Sequence, residues 1–329
     1  MKIIVLGVGA LGSIIGAHLV RAGEDVVIMA RGQRAATLQQ HGIVLTGLAD
    51  FTVPVTVVTD PRAIQTADVL IVTVKTYDTE PALAGLRHLR VDSALSLQNG
   101  VLKNEQLASV FGWDRVLGAA AVVAGELLED GAVRFTLNER FAVGELAGGT
   151  SERAQSLART LVKAGLKAEA SPHILTVEWS KYVLFAGGMA LSSLTRLPTA
   201  KFLGDPDGAL LTVRVMRELG EVAARLGIPL EDGGPLPIKT LCNGTLPEAI
   251  EHAQRFGAVL AERAPAHKVS TLQDLERGRR LEVEETLGYA VQKGAELGVP
   301  LPSLETCYRL LAGINRHVTT PVPERFSTK

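Results

Sequence analysis

The feature that most constrains the fold of this chain is a glycine-rich hexapeptide close to its N-terminus. Residues 7–12 read Gly-Val-Gly-Ala-Leu-Gly, which matches the pattern G-x-G-x-x-G. A short apolar run, Lys2 to Leu6, precedes the hexapeptide, and apolar residues recur at helical spacing from Leu11 to Ala22 after it. A second apolar run from Asp25 to Ala30 completes a strand–helix–strand unit, which is the building block of a doubly wound parallel sheet.

The three glycines of the hexapeptide have separate physical roles in a dinucleotide-binding turn. Gly7 allows the tight turn, Gly9 lets the backbone approach a pyrophosphate, and Gly12 lets the helix pack closely on the strand. Ala10 and Leu11 belong to the first turn of the helix, whose N-terminal amides face the phosphates. The sequence therefore predicts a dinucleotide site in this turn, and the alternative is a glycine-rich turn that binds no ligand.

The end of the second predicted strand bears on which dinucleotide is bound. NAD-binding domains commonly have an acidic residue there, which accepts hydrogen bonds from the ribose hydroxyls, whereas this chain has Met29-Ala30-Arg31. An arginine is a planar cation that suits a 2′-phosphate, and Gln33 and Arg34 follow closely. We therefore predict a preference for NADPH over NADH. The alternative is that Arg31 is a solvated loop residue.

The first half of the chain continues as strands that alternate with helices. Further predicted strands are Val69–Val74, Ala94–Leu97, Arg115–Val123, Ala132–Thr136 and Arg140–Val143, and predicted helices cover about Glu80–Leu89 and Ser151–Ala164. Two loops, Val74-Lys75-Thr76 and Gln98-Asn99-Gly100, fall at the carboxyl ends of strands, where doubly wound sheets bind ligands. Because Asn-Gly is also a common turn, neither loop is diagnostic alone.

Beyond Pro172 the sequence changes to long helical patterns with few strand signals. These patterns cover Glu178–Leu194, Leu210–Leu226, Pro247–Glu262 and Leu281–Leu297. The predicted fold class is therefore α/β, with a Rossmann-like NADP-binding domain at residues 1–171. A mainly α-helical substrate and dimerisation domain is predicted at residues 172–318, followed by a flexible tail at residues 319–329.

Length, charge and cysteine content exclude several classes of protein. A chain of 329 residues with 47% hydrophobic and 21% charged residues fits two globular domains rather than one. The 34 basic and 35 acidic side chains leave no overall positive field that would attract nucleic acid or an anionic membrane. Cys242 and Cys307 are far apart and provide no metal-binding framework. We therefore expect a cytoplasmic protein with no metal site, no membrane segment and no nucleic-acid partner.

Several motifs in a fixed order carry a more specific signal. They are KIIVLGVGALG at the start, Arg31, the lysine of VTVKTY, the QNG triplet, EWSKY, and STLQDLERGRRLEVE near the end. From Met1 to about Arg309 the chain resembles the ketopantoate reductase family, the 2-dehydropantoate 2-reductases. The resemblance implies reduction of a small 2-oxo acid to a 2-hydroxy acid by NADPH, most directly 2-dehydropantoate to pantoate in pantothenate biosynthesis. We also expect a homodimer.

Five positions acquire a role through this resemblance. Lys181 is implied as the general acid, because hydride addition to a keto carbon develops an alkoxide that an ammonium group stabilises and protonates. Glu282 is implied as a second catalytic residue that orients Lys181 or binds a substrate hydroxyl, and Ser270 as a ligand of the substrate carboxylate. Asn99 and Lys75 are implied to line the cofactor and substrate cleft. The residues alone favour solvated surface positions for Lys181 and Glu282.

One helix face departs from the family pattern. Where the family commonly has K-x-x-x-N-x-x-x-N, this chain has Lys181, Phe185 and Met189. Two amides are replaced by apolar groups, so we expect Phe185 and Met189 to make the substrate pocket less polar. The nearest polar residues, Ser192 and Ser193, lie further along the helix and would compensate only in part. Three interpretations stay open: a bulkier or less polar 2-oxo acid as substrate, a shifted helix register with Phe185 and Met189 in the core, and a non-catalytic NADP-binding sensor.

Overall fold

The computed structural model describes residues 1–319 of the chain. Two compact units divide after Glu178, a few residues beyond the boundary expected at residues 171 and 172. Thr319 ends the last helix, and the rest of the expected tail, residues 320–329, lies outside the described residues. Within the described part of the chain, no helix combines the length and apolar character that crossing a membrane requires.

The first unit alternates strands and helices, as the sequence pattern predicts. Its strands are β1 (Lys2–Leu6), β2 (Asp25–Met29), β3 (Ile43–Gly47), β4 (Phe51–Val53), β5 (Thr56–Val58), β6 (Thr66–Val72), β7 (Arg90–Ser96), β8 (Leu117–Leu127), β9 (Val133–Glu145) and β10 (Ala168–Ala170). Its helices are α1 (Ala10–Arg21), α2 (Gly32–His41), α3 (Thr79–Ala84), α4 (Leu102–Phe111) and α5 (Glu152–Lys163), and α6 (Ile174–Thr195) begins here and continues into the second unit.

A parallel sheet with the order β5-β2-β1-β6-β7 forms the centre of the first unit. The central strand β1 is apolar from Ile3 to Leu6 because both faces of a parallel sheet are covered, and Ile3, Ile4 and Val5 are fully buried. Helix α1 packs its apolar side on the same core through Ile14 and Ile15. The predicted α/β fold with a parallel sheet is confirmed.

A second, mixed sheet holds the strands that the sequence pattern did not separate from the first. Its order is β10-β9-β3-β4, and β8 pairs with β9 in antiparallel fashion. The predicted strands Ala132–Thr136 and Arg140–Val143 are one continuous strand, β9. The predicted helix Glu80–Leu89 is wrong beyond Ala84, where Gly85, a poor helix former, follows α3.

The second unit is mainly helical, as predicted. After α6, its helices are α7 (Thr199–Gly204), α8 (Pro206–Arg225), α9 (Ile238–Asn243), α10 (Leu246–Arg263), α11 (Ser270–Glu276), α12 (Tyr289–Leu297) and α13 (Pro302–Thr319).

The helix predicted at Leu281–Leu297 starts later than expected. One π-helical turn, Glu284–Gly288, leads directly into α12. Asn315 on α13 accepts a hydrogen bond from the Leu281 amide at 2.8 Å and donates one to the Leu281 carbonyl at 3.4 Å. The Leu281 carbonyl is the group that a helix starting here would use, and its bond to Asn315 competes with that use.

A buried histidine on α1 makes the stability of the first unit depend on pH. His18 lies edge-on between the rings of Phe51 and Phe135, and its Nδ1 is 2.7 Å from the Ala164 carbonyl. Burial, helped by the charge of Arg21, lowers the pKa of His18 below its usual value. The unfolded chain therefore binds a proton more readily than the folded one, and stability falls as pH drops below about 6.5.

We predict that His18→Gln reduces this loss, because glutamine keeps an amide donor for Ala164 and does not titrate. The melting temperature of the parent protein should fall by several degrees between about pH 7.5 and pH 5.5, and the fall should be smaller in the variant. A residual fall is expected, because burial also lowers the pKa of His267. An equal fall in both proteins would contradict this role of His18.

Candidate functional site

The carboxyl ends of four neighbouring strands are in register at one edge of the parallel sheet. Leu6 of β1 pairs with Met29 of β2 on one side and with Val72 of β6 on the other, and Val72 pairs with Ser96 of β7. The loops that leave this edge begin at Gly7, Ala30, Thr73 and Leu97. The four loops that the sequence singled out therefore leave the sheet side by side, where doubly wound folds bind ligands.

Each glycine of the first loop is needed for a different physical reason. Gly7 has a φ of +93°, and a side chain there would collide with Val74. A side chain on Gly12 would overlap the Gly7 carbonyl and the Thr73 hydroxyl, so the packing of α1 on the sheet demands glycine. Gly9 is exposed, and its absent Cβ would meet no atom within 4 Å. The space above Gly9 is therefore open, which fits the approach of a pyrophosphate.

The N-terminus of helix α1 opens at the same place. The helix begins at Ala10, followed by a half-buried Leu11, and its N-cap Gly9 has no side chain to bond the first amides. No acidic residue lies in the first turn. The positive end of the helix dipole and its amides are therefore not neutralised by an acidic side chain in that turn, as a phosphate-binding helix requires.

Arg31 lies at the carboxyl end of β2 and is the N-cap of α2. Its side chain is 80% exposed, and its guanidinium is 3.9 Å from the Asp78 carboxylate, which is too long for a strong ion pair. The exposed cation is therefore available to a ligand at this edge of the sheet.

Arg34, which the sequence places beside Arg31, has a different role. Its guanidinium donates to the Val8 carbonyl at 3.0 Å, to the Ser13 hydroxyl at 2.8 Å and to the Gly131 carbonyl at 2.7 Å. These bonds fasten the glycine loop and the start of α1 to the turn between β8 and β9. Arg34 thus holds the loop in shape.

Gln98 joins the two loops that carry Lys75 and Asn99. Its buried amide accepts a hydrogen bond from the Ser96 hydroxyl at 2.8 Å and donates one to the Val74 carbonyl at 2.8 Å. Lys75 and Asn99 are both half-buried, each next to one end of this connection. The second and third loops of the edge therefore hold each other in place.

Helix α6 carries Lys181, Phe185 and Met189 at intervals of one turn. Lys181 and Phe185 are half-buried, whereas Met189 is fully buried. The Met189 sulfur is 3.5 Å from the Thr286 hydroxyl, so this side chain packs inside the second unit.

The segment that contains Glu282 is fastened to α6 beside Lys181. Glu282 is only 7% exposed, in contrast to the solvated position that the charge-rich stretch suggests. The Thr286 hydroxyl donates to the Glu282 carbonyl, and the Thr286 carbonyl accepts a hydrogen bond from the Tyr182 hydroxyl at 2.9 Å. Thr286 therefore connects the backbone at Glu282 to the residue that follows Lys181, and the π-helical turn brings it there.

The remaining predicted site residue, Ser270, is exposed and is the first residue of α11. Over residues 1–319, no cluster of three or more His, Cys, Asp and Glu side chains is arranged to hold a metal ion.

The sequence did not predict the structural role of three polar side chains around the predicted site residues. Arg34, Gln98 and Thr286 each bond to backbone carbonyls or hydroxyls of the loops and helices around the predicted residues. Such residues leave no periodic signal, because each is a single polar group at a buried or half-buried position. For Gln98 the position directly after an apolar strand is the one available signal.

Models of known families match both parts of the chain. The model described as ketopantoate reductase PanE/ApbA matches residues 3–148, and the one described as ketopantoate reductase PanE/ApbA C terminal matches residues 173–315. The 2-dehydropantoate 2-reductase of Archaeoglobus fulgidus is 31% identical over 313 residues, which are 95% of this chain and 97% of that relative.

Solved structures share the fold over nearly the whole chain. A PanE/ApbA family ketopantoate reductase from Ralstonia eutropha JMP134 is 29% identical with a TM-score of 0.81, and the match covers 97% of this chain and 100% of that one. D-mandelate dehydrogenase, solved with NADH and anilino(oxo)acetate, is 21% identical with a TM-score of 0.84 over the same shares of the two chains. At that identity the second likeness is one of fold.

A pair of glycine variants separates ligand contact from packing in the first loop. Gly9→Ala should leave the melting temperature unchanged, because its Cβ meets no protein atom, yet weaken dinucleotide binding at least about tenfold. Gly12→Ala should destabilise the protein by about 1–3 kcal/mol or more, because its Cβ overlaps the Gly7 carbonyl. Fluorescence titration with NADPH and thermal melting measure the two effects. Unchanged NADPH affinity in Gly9→Ala would rule out a pyrophosphate at this loop.

Proposed function

This chain belongs to the ketopantoate reductase family, and from that premise we propose that it reduces 2-dehydropantoate to pantoate with NADPH. It is an oxidoreductase of the kind that acts on CH–OH groups, with a nicotinamide dinucleotide as cofactor. One observation carries the proposal: the lysine and the glutamate implied by the resemblance lie on segments that Thr286 joins within the second unit.

Lys181 is the proton donor in this proposal. When bound, the reduced nicotinamide supplies the hydride that the keto carbon accepts. The carbonyl oxygen then becomes an alkoxide, and the Lys181 ammonium stabilises its charge and transfers a proton to it. The lysine regains that proton from solvent, so the net reaction consumes one hydride and one proton.

The other predicted residues hold and orient the reactants. The buried Glu282 carboxylate keeps the Lys181 ammonium in position or accepts a hydrogen bond from a substrate hydroxyl. The exposed Ser270 hydroxyl donates to the substrate carboxylate. Asn99 and Lys75, on adjacent loops of the sheet edge, contact the cofactor and the substrate.

Arg31 is the basis for proposing NADPH rather than NADH. Its exposed guanidinium lies at the strand end where the adenosine ribose binds in doubly wound folds. Among residues 1–319, its one ion-pair partner is the Asp78 carboxylate, 3.9 Å away. A 2′-phosphate would form charge-assisted hydrogen bonds there that a 2′-hydroxyl cannot match.

Phe185 favours a second candidate substrate, a 2-oxo acid with a bulkier or less polar side chain. Its half-buried ring follows Lys181 by one helical turn, at a position where the family pattern has an amide. An apolar ring interacts favourably with an apolar substrate group but offers no hydrogen bond to the hydroxyl of 2-dehydropantoate. Specificity constants for 2-dehydropantoate and for a series of apolar 2-oxo acids distinguish the two candidates. Cofactor binding without turnover of any of them would favour a sensor.

We also propose a cytosolic homodimer. Large apolar side chains are exposed on the second unit, including Leu211 on α8, Val259 on α10 and Leu310 on α13, and a partner subunit would cover such groups. Light scattering of the purified protein measures the number of subunits.

Replacing Lys181 by alanine tests the general acid. Loss of the ammonium should lower kcat with 2-dehydropantoate and NADPH at least about a hundredfold, whereas Lys201→Ala, at an exposed lysine on α7, should retain parental activity. The rate of NADPH oxidation measures both variants. A fully active Lys181→Ala protein would exclude the role proposed for this residue.

A second pair of variants tests the choice of dinucleotide. Arg31→Met should lower kcat/KM for NADPH about tenfold and leave the value for NADH unchanged, because only NADPH has the 2′-phosphate. Arg34→Met should lower both values together, because Arg34 holds the loop that both cofactors use. Parallel assays with the two cofactors measure this. If Arg31→Met kept the parental ratio, Arg31 would not be the phosphate ligand.

A further inference from the structure

A buried ion pair lies at the start of helix α6 and has no role in the chemistry described above. Lys103 on α4 and Glu178 on α6 approach to 3.1 Å between Nζ and Oε1, and their side chains are only 4% and 1% exposed. The Lys103 ammonium also donates to the carbonyl of Ala119 on β8. Both charged side chains are therefore enclosed by protein.

Both oxygens of the Glu178 carboxylate have polar partners. Besides Lys103, it accepts a hydrogen bond from the Asn104 side-chain amide at 2.6 Å and one from the Ala119 backbone amide at 2.8 Å. We call Lys103, Asn104, Ala119 and Glu178 the Glu178 clamp. Two directional hydrogen-bond donors, the Asn104 amide of α4 and the Ala119 amide of β8, and the Lys103 ammonium thus converge on one carboxylate of α6.

Filling the interior with the Glu178 clamp costs stability. Burying two charges costs free energy that apolar residues of similar volume would not cost. The Oδ1 atom of Asn104 is buried as well, and within the described residues it has no hydrogen-bond partner. The position of Asn104 therefore allows its Nδ2 to donate to Glu178 but leaves its own Oδ1 without a hydrogen bond. Such an arrangement points to a requirement for geometry rather than for stability.

The position of the clamp indicates what that geometry serves. Lys181 follows Glu178 by three residues on the same continuous helix, so the two side chains lie on one face, a turn apart. On the other side of the clamp, α4 begins at Leu102, directly after the loop that holds Asn99. Apolar contacts allow a helix to rotate about its axis and to slide along it. Directional bonds to a carboxylate on the helix fix both the rotation and the axial position.

We propose that Glu178 is a positioning residue for Lys181. Its bonds to Lys103, Asn104 and Ala119 set the rotation and the axial position of α6 at the turn before the lysine. An error of about 1 Å in the placement of a catalytic group can cost about a hundredfold in rate, so a clamp of this kind affects turnover directly. This inference rests on the proposed role of Lys181 as the general acid.

The central test is a double-mutant cycle on kcat. Glu178→Gln keeps the shape of the side chain but removes the negative charge that pairs with Lys103. It also replaces one accepting oxygen by an amide NH2 group, which cannot accept a hydrogen bond. It should lower kcat about tenfold while the KM for NADPH stays within about twofold. In a Lys181→Ala background the same substitution should have no further effect, because no lysine remains to be positioned.

A matched control and a milder variant accompany the cycle. Glu145→Gln breaks another ion pair of the first unit, between Glu145 and Arg153 at 2.6 Å, and should leave kcat unchanged. Asn104→Leu removes one bond to Glu178 together with the unpartnered Oδ1, so the protein should keep its melting temperature and lose about threefold in kcat. If Glu178→Gln does not fold, Asn104→Leu replaces it in the cycle.

The outcomes are distinguishable from a failure of the proposed function. Full activity of Lys181→Ala would remove the general acid, and the positioning role with it. An impaired Lys181→Ala protein in which Glu178→Gln costs as much as in the parent would overturn only the positioning role. A folded Glu178→Gln protein with parental kcat would overturn it as well.

Discussion

The parallel pairing of β1 with β2 and β6 is the constraint on which the rest of the first unit depends. It brings the ends of β2, β1, β6 and β7 into register, so that four loops far apart in the chain leave one edge of the sheet together. The close contact of Gly12 with the Gly7 carbonyl and the Thr73 hydroxyl then fixes α1 over that edge. Arg34 and Gln98 complete the arrangement by bonding the loops to one another.

The sequence predicts those parts of the fold that leave a local pattern. The glycine hexapeptide, the alternation of strands and helices, and the helical second half are readable because each depends on spacing within one segment. The second sheet is not readable in this way, since its strands β3, β9 and β10 come from distant parts of the chain. The segment before the π-helical turn at Glu284 is not readable either. Its backbone at Leu281 is bonded by Asn315, which lies far along the chain.

The residues of the candidate site also differ in whether a local sequence pattern predicts them. Gly7, Gly12 and the exposed Arg31 follow from local pattern, whereas the roles of Lys181 and Glu282 come from family resemblance. The buried polar contacts near these residues, such as those of Thr286 and Glu178, are revealed only by the three-dimensional structure. Buried polar groups of this kind cost stability, and they cluster next to the residues to which we assign chemistry. We propose that these groups provide the geometry of the reacting groups.

In the reaction that we propose, the chain delivers hydride from NADPH to the keto carbon of 2-dehydropantoate. Mass spectrometry of the product formed with NADPH that is doubly deuterated at C4 of the nicotinamide tests it directly. We expect pantoate with a single deuterium at C2, formed in step with NADPH oxidation. Pantoate without deuterium, or no pantoate at all from a folded protein that binds NADPH, would contradict it.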